Sequence, residues 1–366
     1  MSRPPQAAAV LAAALALSVP AALRAQDGAA LQAELAAYPH RLLFETERDG
    51  NWELYTCNAD GTDPRNLTRT EDIDETYGKV SPDGQWIAFQ ADTWEGEGED
   101  AHRRRDIGLM RVDGSDRMVL IERGREPFWS PDNSEIGYLP DEFERFSAVT
   151  WATKGLRIFS FVTGETRAHP NAALEHLFCP CFSADGKWIL ASVHGGMGLR
   201  HAIVALAADG DTVHDLHLEG CRPDVSADGR TLCWGLTEYT LARAALDLTG
   251  ETPQVGTAEQ IVRNAPRRDD MIYHADLSPD ARFVAFTSGP RDGRRRLGSH
   301  RTPESSGVEA EGWDLWVARA EAPHERMRIT AGGRSNKEPD WIPVPIARTE
   351  KDDTAGDGKH AEGAGR

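Results

Sequence analysis

Ser81-Pro82-Asp83-Gly84-Gln85-Trp86-Ile87-Ala88-Phe89 is a tight turn that runs straight into a short apolar strand. Proline presets φ at the first corner, aspartate bonds the backbone just beyond it, and glycine takes the left-handed position. Degraded copies follow at Ser130-Pro131-Asp132-Asn133, Ser183-Ala184-Asp185-Gly186, Ser226-Ala227-Asp228-Gly229 and Ser278-Pro279-Asp280-Ala281. A spacing of about fifty residues suggests a propeller or a solenoid. The strands that leave the turns, such as Trp188-Ile189-Leu190-Ala191 and Phe283-Val284-Ala285-Phe286, are apolar on both faces. A sheet with one wet face would alternate apolar with polar residues, so these sheets are covered on both sides, as in stacked blades. The body of the chain holds no amphipathic run of helical length, which argues against a helical solenoid.

The fullest copy adds Trp52-Glu53-Leu54-Tyr55-Thr56-Cys57, the turn Asn58-Ala59-Asp60-Gly61, and Pro64-Arg65-Asn66-Leu67-Thr68. Each unit is therefore a four-stranded meander, with strands A to D. The run Arg48-Asp49-Gly50-Asn51-Trp52-Glu53-Leu54-Tyr55, taken with that turn, Asn66-Leu67-Thr68 and the turn at Ser81, resembles the TolB-type, WD-repeat-like β-propeller repeat. The resemblance covers residues 41 to 343 and is clearest in the first repeat. It implies a propeller alone, without the α/β domain that precedes the propeller in TolB itself.

Counting strands predicts how the ring closes. The first repeat, Arg41 to Thr68, supplies B, C and D but no A, while Lys337-Glu338-Pro339-Asp340-Trp341 supplies an A with nothing after it. The five other A strands lie near Tyr77, Glu126, Cys179, Arg222 and His274. The expected fold is all-β: a six-bladed propeller of four-stranded antiparallel blades, closed by N-terminal strands B, C and D pairing with a C-terminal strand A. Closure removes edges that would otherwise invite aggregation.

Residues 1–25 carry an apolar run from Ala7 to Leu17 followed by small residues, too short to span a bilayer and similar to a secretory signal peptide. Export to the periplasm or the medium is the corresponding expectation. Residues 26–40 read as a helical leader, 41–346 as the propeller, and 347–366 as a disordered tail rich in Gly, Asp, Lys and Glu. No other run approaches membrane length. With 41 Lys and Arg against 59 Asp and Glu, the net charge of −18 repels phosphate backbones, so nucleic acid is not expected as a partner. Five cysteines are read mainly as buried thiols, with Cys221 and Cys233 on opposite arms of one hairpin as the pair able to bond.

Aligning the A strands on the turn serine puts one residue per blade four positions upstream. These are Tyr77, Glu126, Cys179, Arg222, His274 and, by the Trp341 anchor, Glu338. If strand A is innermost, as the resemblance implies, the polar members Tyr77, Glu126, Arg222, His274 and Glu338 form a binding funnel at the channel mouth. Long insertions at Thr93–Ile107, Asp141–Lys154 and Pro290–Gly312 mark the opposite end from the serine turns as the working face. Gly-x-Ser-x-Gly, His-Glu-x-x-His, phosphate-binding and dinucleotide motifs are all missing, so no catalytic residue, metal or cofactor is assigned. The chain reads as an exported, non-enzymatic, monomeric propeller that binds a protein or peptide through its loop-rich face. A second reading is a metal-assisted carbohydrate lyase or hydrolase working through Glu126, His274 and Glu338.

Overall fold

The computed structural model describes residues 21–48, 50–96, 102–140, 155–265, 270–290, 312–321, 325–332 and 335–344. Six antiparallel sheets form six blades of a propeller. Blade one takes its innermost strand from the far end of the chain, Asn336–Ile342, followed outward by Arg41–Glu47, Trp52–Asn58 and Arg65–Asn66. Leu42 faces Trp341 in that pairing, so the closure expected from the sequence is present. The inner strands of blades two to six are Asp74–Val80, Gly124–Trp129, Leu177–Phe182, Cys221–Val225 and Met271–Leu277. In blade five the outer edge is divided between two short strands, Gln254–Val255 and Glu259–Arg263, which pair with different parts of the same neighbour.

The serine turns show why their residue types recur. Ser81 Oγ donates to Asp83 Oδ1 at 2.5 Å and accepts from Trp86 N at 2.9 Å, while Asp83 Oδ1 accepts from Gln85 N at 3.0 Å. The same three bonds form around Ser130, Ser183, Ser226 and Ser278. The fourth turn residue has positive φ each time: Gly84, Asn133, Gly186, Gly229 and Ala281.

Strands apolar on both faces pack blade against blade. Leu43 and Leu54 meet Ile87, Phe89 and Met110 between blades one and two, and Cys233 and Leu241 meet Ile272, Val284 and Phe286 between blades five and six. The seam between blades six and one is filled by Phe44, Phe283, Val317 and Trp341 together with Leu31 and Leu35 of the helix Ala21–Ala36. Tyr38 follows that helix, donates to Asp280 Oδ1 at 2.6 Å and stands edge-on to Phe283 and Trp341. Glu34 pairs with both Arg282 and Arg319.

Two expectations change. Thr93–Ile107 is mostly not a loop: Trp86–Glu95 and His102–Arg111 pair as far as Glu95 opposite His102, making a long hairpin. Within it Arg103 pairs with Asp92, and Arg104 with Glu95 and Asp106. Cys221 faces Gly235 and Cys233 faces Asp224, so the two thiols are not opposed, and all five cysteines are free. The leader residues 26–36 lie in the helix Ala21–Ala36. Most of the signal-peptide reading (residues 1–20), the insertions at 141–154 and 291–311, and the tail from 345 lie outside the described residues.

Candidate functional site

Each inner strand carries one extra residue relative to its partner. Thr76 to Lys79 spans Gln90 to Ala88, Arg125 to Phe128 spans Leu139 to Gly137, and the same two-against-three mismatch occurs in the other four blades. These are six β-bulges in register around the axis. Their first residues are Tyr77, Glu126, Cys179, Arg222, His274 and Glu338, all with φ between 46° and 59°. A non-glycine residue in this region is strained. The second bulge residue is proline in four blades, Pro127, Pro180, Pro223 and Pro339, where the lost N–H would have had no ladder partner. The bulge thus turns the predicted residue of every blade toward a common channel of about 400 Å³, which all six line.

Side chains cap the amides that the bulges leave unpaired. Tyr77 N donates to Glu45 Oε2 at 2.6 Å, Cys179 N to Glu126 Oε2 at 2.6 Å, and Arg222 N to Ser192 Oγ at 2.7 Å. Glu126 is further paired with the fully buried Arg125, and Glu45 with Lys337 Nζ at 2.8 Å. Glu126 therefore acts in the frame between blades three and four.

Across the channel, Glu338 Oε1 lies 2.9 Å from Arg222 Nη1 and 2.9 Å from His274 Nε2. Burial alone would raise Glu338, but His274 and Arg222 hold its carboxyl well below the usual range. Burial, then Arg222, pushes the His274 imidazole down to about 4 against the pull of Glu338. His274 Nδ1 lies 2.9 Å from Thr287 Oγ1, whose hydroxyl in turn donates to the Tyr273 carbonyl oxygen at 3.1 Å. Among the described residues, no group of three or more His, Cys, Asp or Glu side chains converges as a metal site, so Glu126, His274 and Glu338 do not assemble as the second reading requires.

A second ring, two residues further along each inner strand, was not singled out from the sequence: Lys79, Phe128, Cys181, Asp224, Asp276 and Asp340. The same alignment on the turn serine reads them off directly. Lys79 Nζ pairs with Asp276 Oδ2 at 3.3 Å. Asp224 Oδ2 accepts from Leu277 N at 2.7 Å and Asp340 Oδ2 from Val80 N at 2.8 Å, so each ties its blade to the next. Burial raises all three carboxyls, Asp224 to about 6. Burial would lower Lys79, but Asp340, Asp276, Glu338 and Asp224 outweigh it and hold the ammonium well above its usual value.

On the loop-rich side of the first ring a second cavity, also about 400 Å³, opens between blades four, five and six. Arg222 and His274 form its inner end, and Phe178, Leu236, Tyr273 and Glu238 line it further out. Gly220, with φ 107°, keeps one wall as bare backbone: a Cβ there would lie 2.1 Å from the Gly235 carbonyl oxygen. Cys179 is inert, its thiol pushed up by burial.

No family profile matches the chain, and no curated protein matches it. Solved structures do. TolB from Acinetobacter baumannii aligns with a TM-score of 0.55 at 17% identity, covering 90% of this chain and 75% of that one. A chain of a nidogen/laminin complex gives 0.52 at 8% identity, covering 83% and 98%. Kuenenia stuttgartiensis hydrazine synthase gives 0.52 at 13% identity over 86% of this chain and 48% of its own. The chain is thus a six-bladed propeller of TolB-like fold.

Proposed function

We propose that this protein is an exported, non-enzymatic binding module that takes a protein or peptide on its loop-rich face. The observation that carries the reading is the off-axis cavity between blades four, five and six. It has an apolar and aromatic wall, a few convergent polar groups and an opening on the side away from the regular turns. Such a cavity receives an anchor side chain of a partner, the arrangement that concentrates binding energy at an interface. The charged groups of the ring argue in the same direction. Arg222 with Glu338, Arg125 with Glu126 and Lys337 with Glu45 are paired within the protein, and none is left as an activated nucleophile or base.

The test is face-selective. A photo-cross-linking residue at the exposed Thr237, beside the cavity, is compared with one at the exposed Gln85, on the serine-turn face. Incubated with envelope extract, the Thr237 protein is expected to capture a discrete partner that excess unlabelled wild type competes away. Equal labelling from both positions, or labelling from Gln85 alone, removes the support for the loop-rich face.

A further inference from the structure

We infer that the cavity between blades four, five and six is a carboxylate pocket that receives the free C-terminus of a peptide on Arg222; this rests on the peptide-binding reading above. Arg222 commits only Nη1 to Glu338, and among the described residues its Nε and Nη2 have no partner. A guanidinium with spare donors at the inner end of a cavity is built for a planar carboxylate, which it can hold through two parallel bonds. Among the described residues lining this cavity, Arg222 is the one arginine or lysine. The imidazole beside it, His194, stays neutral because burial and then His201 push it down to about 4.

The surroundings select among anions. Glu338 already sits 2.9 Å from Arg222, Glu238 stands exposed at the rim, and the whole chain carries −18. A single negative charge can share the guanidinium under these conditions, whereas a phosphate of nearly two charges would meet repulsion from both glutamates. Phe178, Leu236 and Tyr273 are placed to hold an apolar last side chain. Glu238 at the rim then favours a basic or neutral residue just before it and disfavours an acidic one.

The experiment titrates the full chain with two sets of fluorescent pentapeptides, leucine-terminated and otherwise randomised, one as free acids and the other as C-terminal amides. Free acids are expected to bind at least about tenfold more tightly, the ratio that one charge-assisted bond gives. Arg222→Gln should erase the difference. Because that change leaves Glu338 buried without its counter-ion, the double variant Arg222→Gln with Glu338→Gln is measured beside it, and the same loss is expected. Glu238→Gln should abolish the discrimination against acidic residues near the C-terminus while leaving the acid-to-amide ratio in place. Acetate alone serves as the small-acid control and is expected not to compete at concentrations where the free-acid peptides are saturated; if it competes as well as they do, the pocket is a general carboxylate site and the C-terminal assignment fails. Equal affinity for acids and amides overturns the inference but leaves peptide binding standing. Failure of both sets to bind overturns both.

Discussion

Ala281 occupies the corner of the blade-six turn with φ 56°, a place filled by glycine in three of the other serine turns. Its methyl group is strained there, because a left-handed L-residue crowds its Cβ against the carbonyl oxygen. Ala281→Gly is therefore expected to stabilise the fold by about 0.5 to 1 kcal/mol once the greater freedom of the unfolded glycine is subtracted. Thermal melting checks this, and an unchanged or lower midpoint would show that the turn is relaxed as it stands. The serine turns were legible in the sequence because Ser, Asp and Gly each do one local job there. The left-handed residues four positions upstream were legible in place but not in conformation. The prolines at 127, 180, 223 and 339 interrupt what otherwise reads as a strand and could have announced a bulge, but Tyr77-Gly78 and His274-Ala275 carry no such mark.

At the scale of elements, the helix Ala21–Ala36 fills a seam that the blades leave open. Leu31 and Leu35 are fully buried against Phe283, Val317 and Trp341. Truncating Leu35 to Ala should cost about 2 to 4 kcal/mol, the range for a buried leucine whose surroundings cannot collapse into the gap. The loss should appear as a lower urea midpoint at an unchanged slope. A cost below about 0.5 kcal/mol would mean that the helix rests on the propeller without supporting it. Little of this docking could be read beforehand, because it depends on which seam the leader meets, a contact between residues more than two hundred positions apart. Strand B of the first repeat was a different case. Its missing A partner and the lone A strand around Trp341 were both visible as a count, and the pairing followed.

For the whole molecule, the buried carboxyls set how stability answers to pH. Asp224, raised by burial to about 6, and Glu45, raised by burial to about 7, bind protons more tightly folded than unfolded. The stability each contributes is complete below its unfolded value and is lost as pH rises through the folded one. Glu338, held low, acts oppositely: its contribution is present at neutral pH and disappears only in strong acid. Melting should therefore be higher at pH 5.5 than at pH 8, with Asp224 accounting for about 1 kcal/mol over that interval. Asp224→Asn keeps an acceptor for the Leu277 amide and removes the charge, so it should raise the midpoint at pH 8 and flatten the profile. A steeper profile in that variant would contradict the assignment. The pairing of Asp276 with Lys79 of blade two depends on the ring having closed, so it could not be read along the strands.

The latch between blades six and one has a mechanical consequence. Leu31, Leu35 and Tyr38 from the front of the chain and Trp341 from its end all grip the same seam, with Glu34 anchored to Arg282 and Arg319. Tension drawn through the leading helix is borne there before any other blade feels it. The disc has one built-in fault line, and a tug on its front end would find it first.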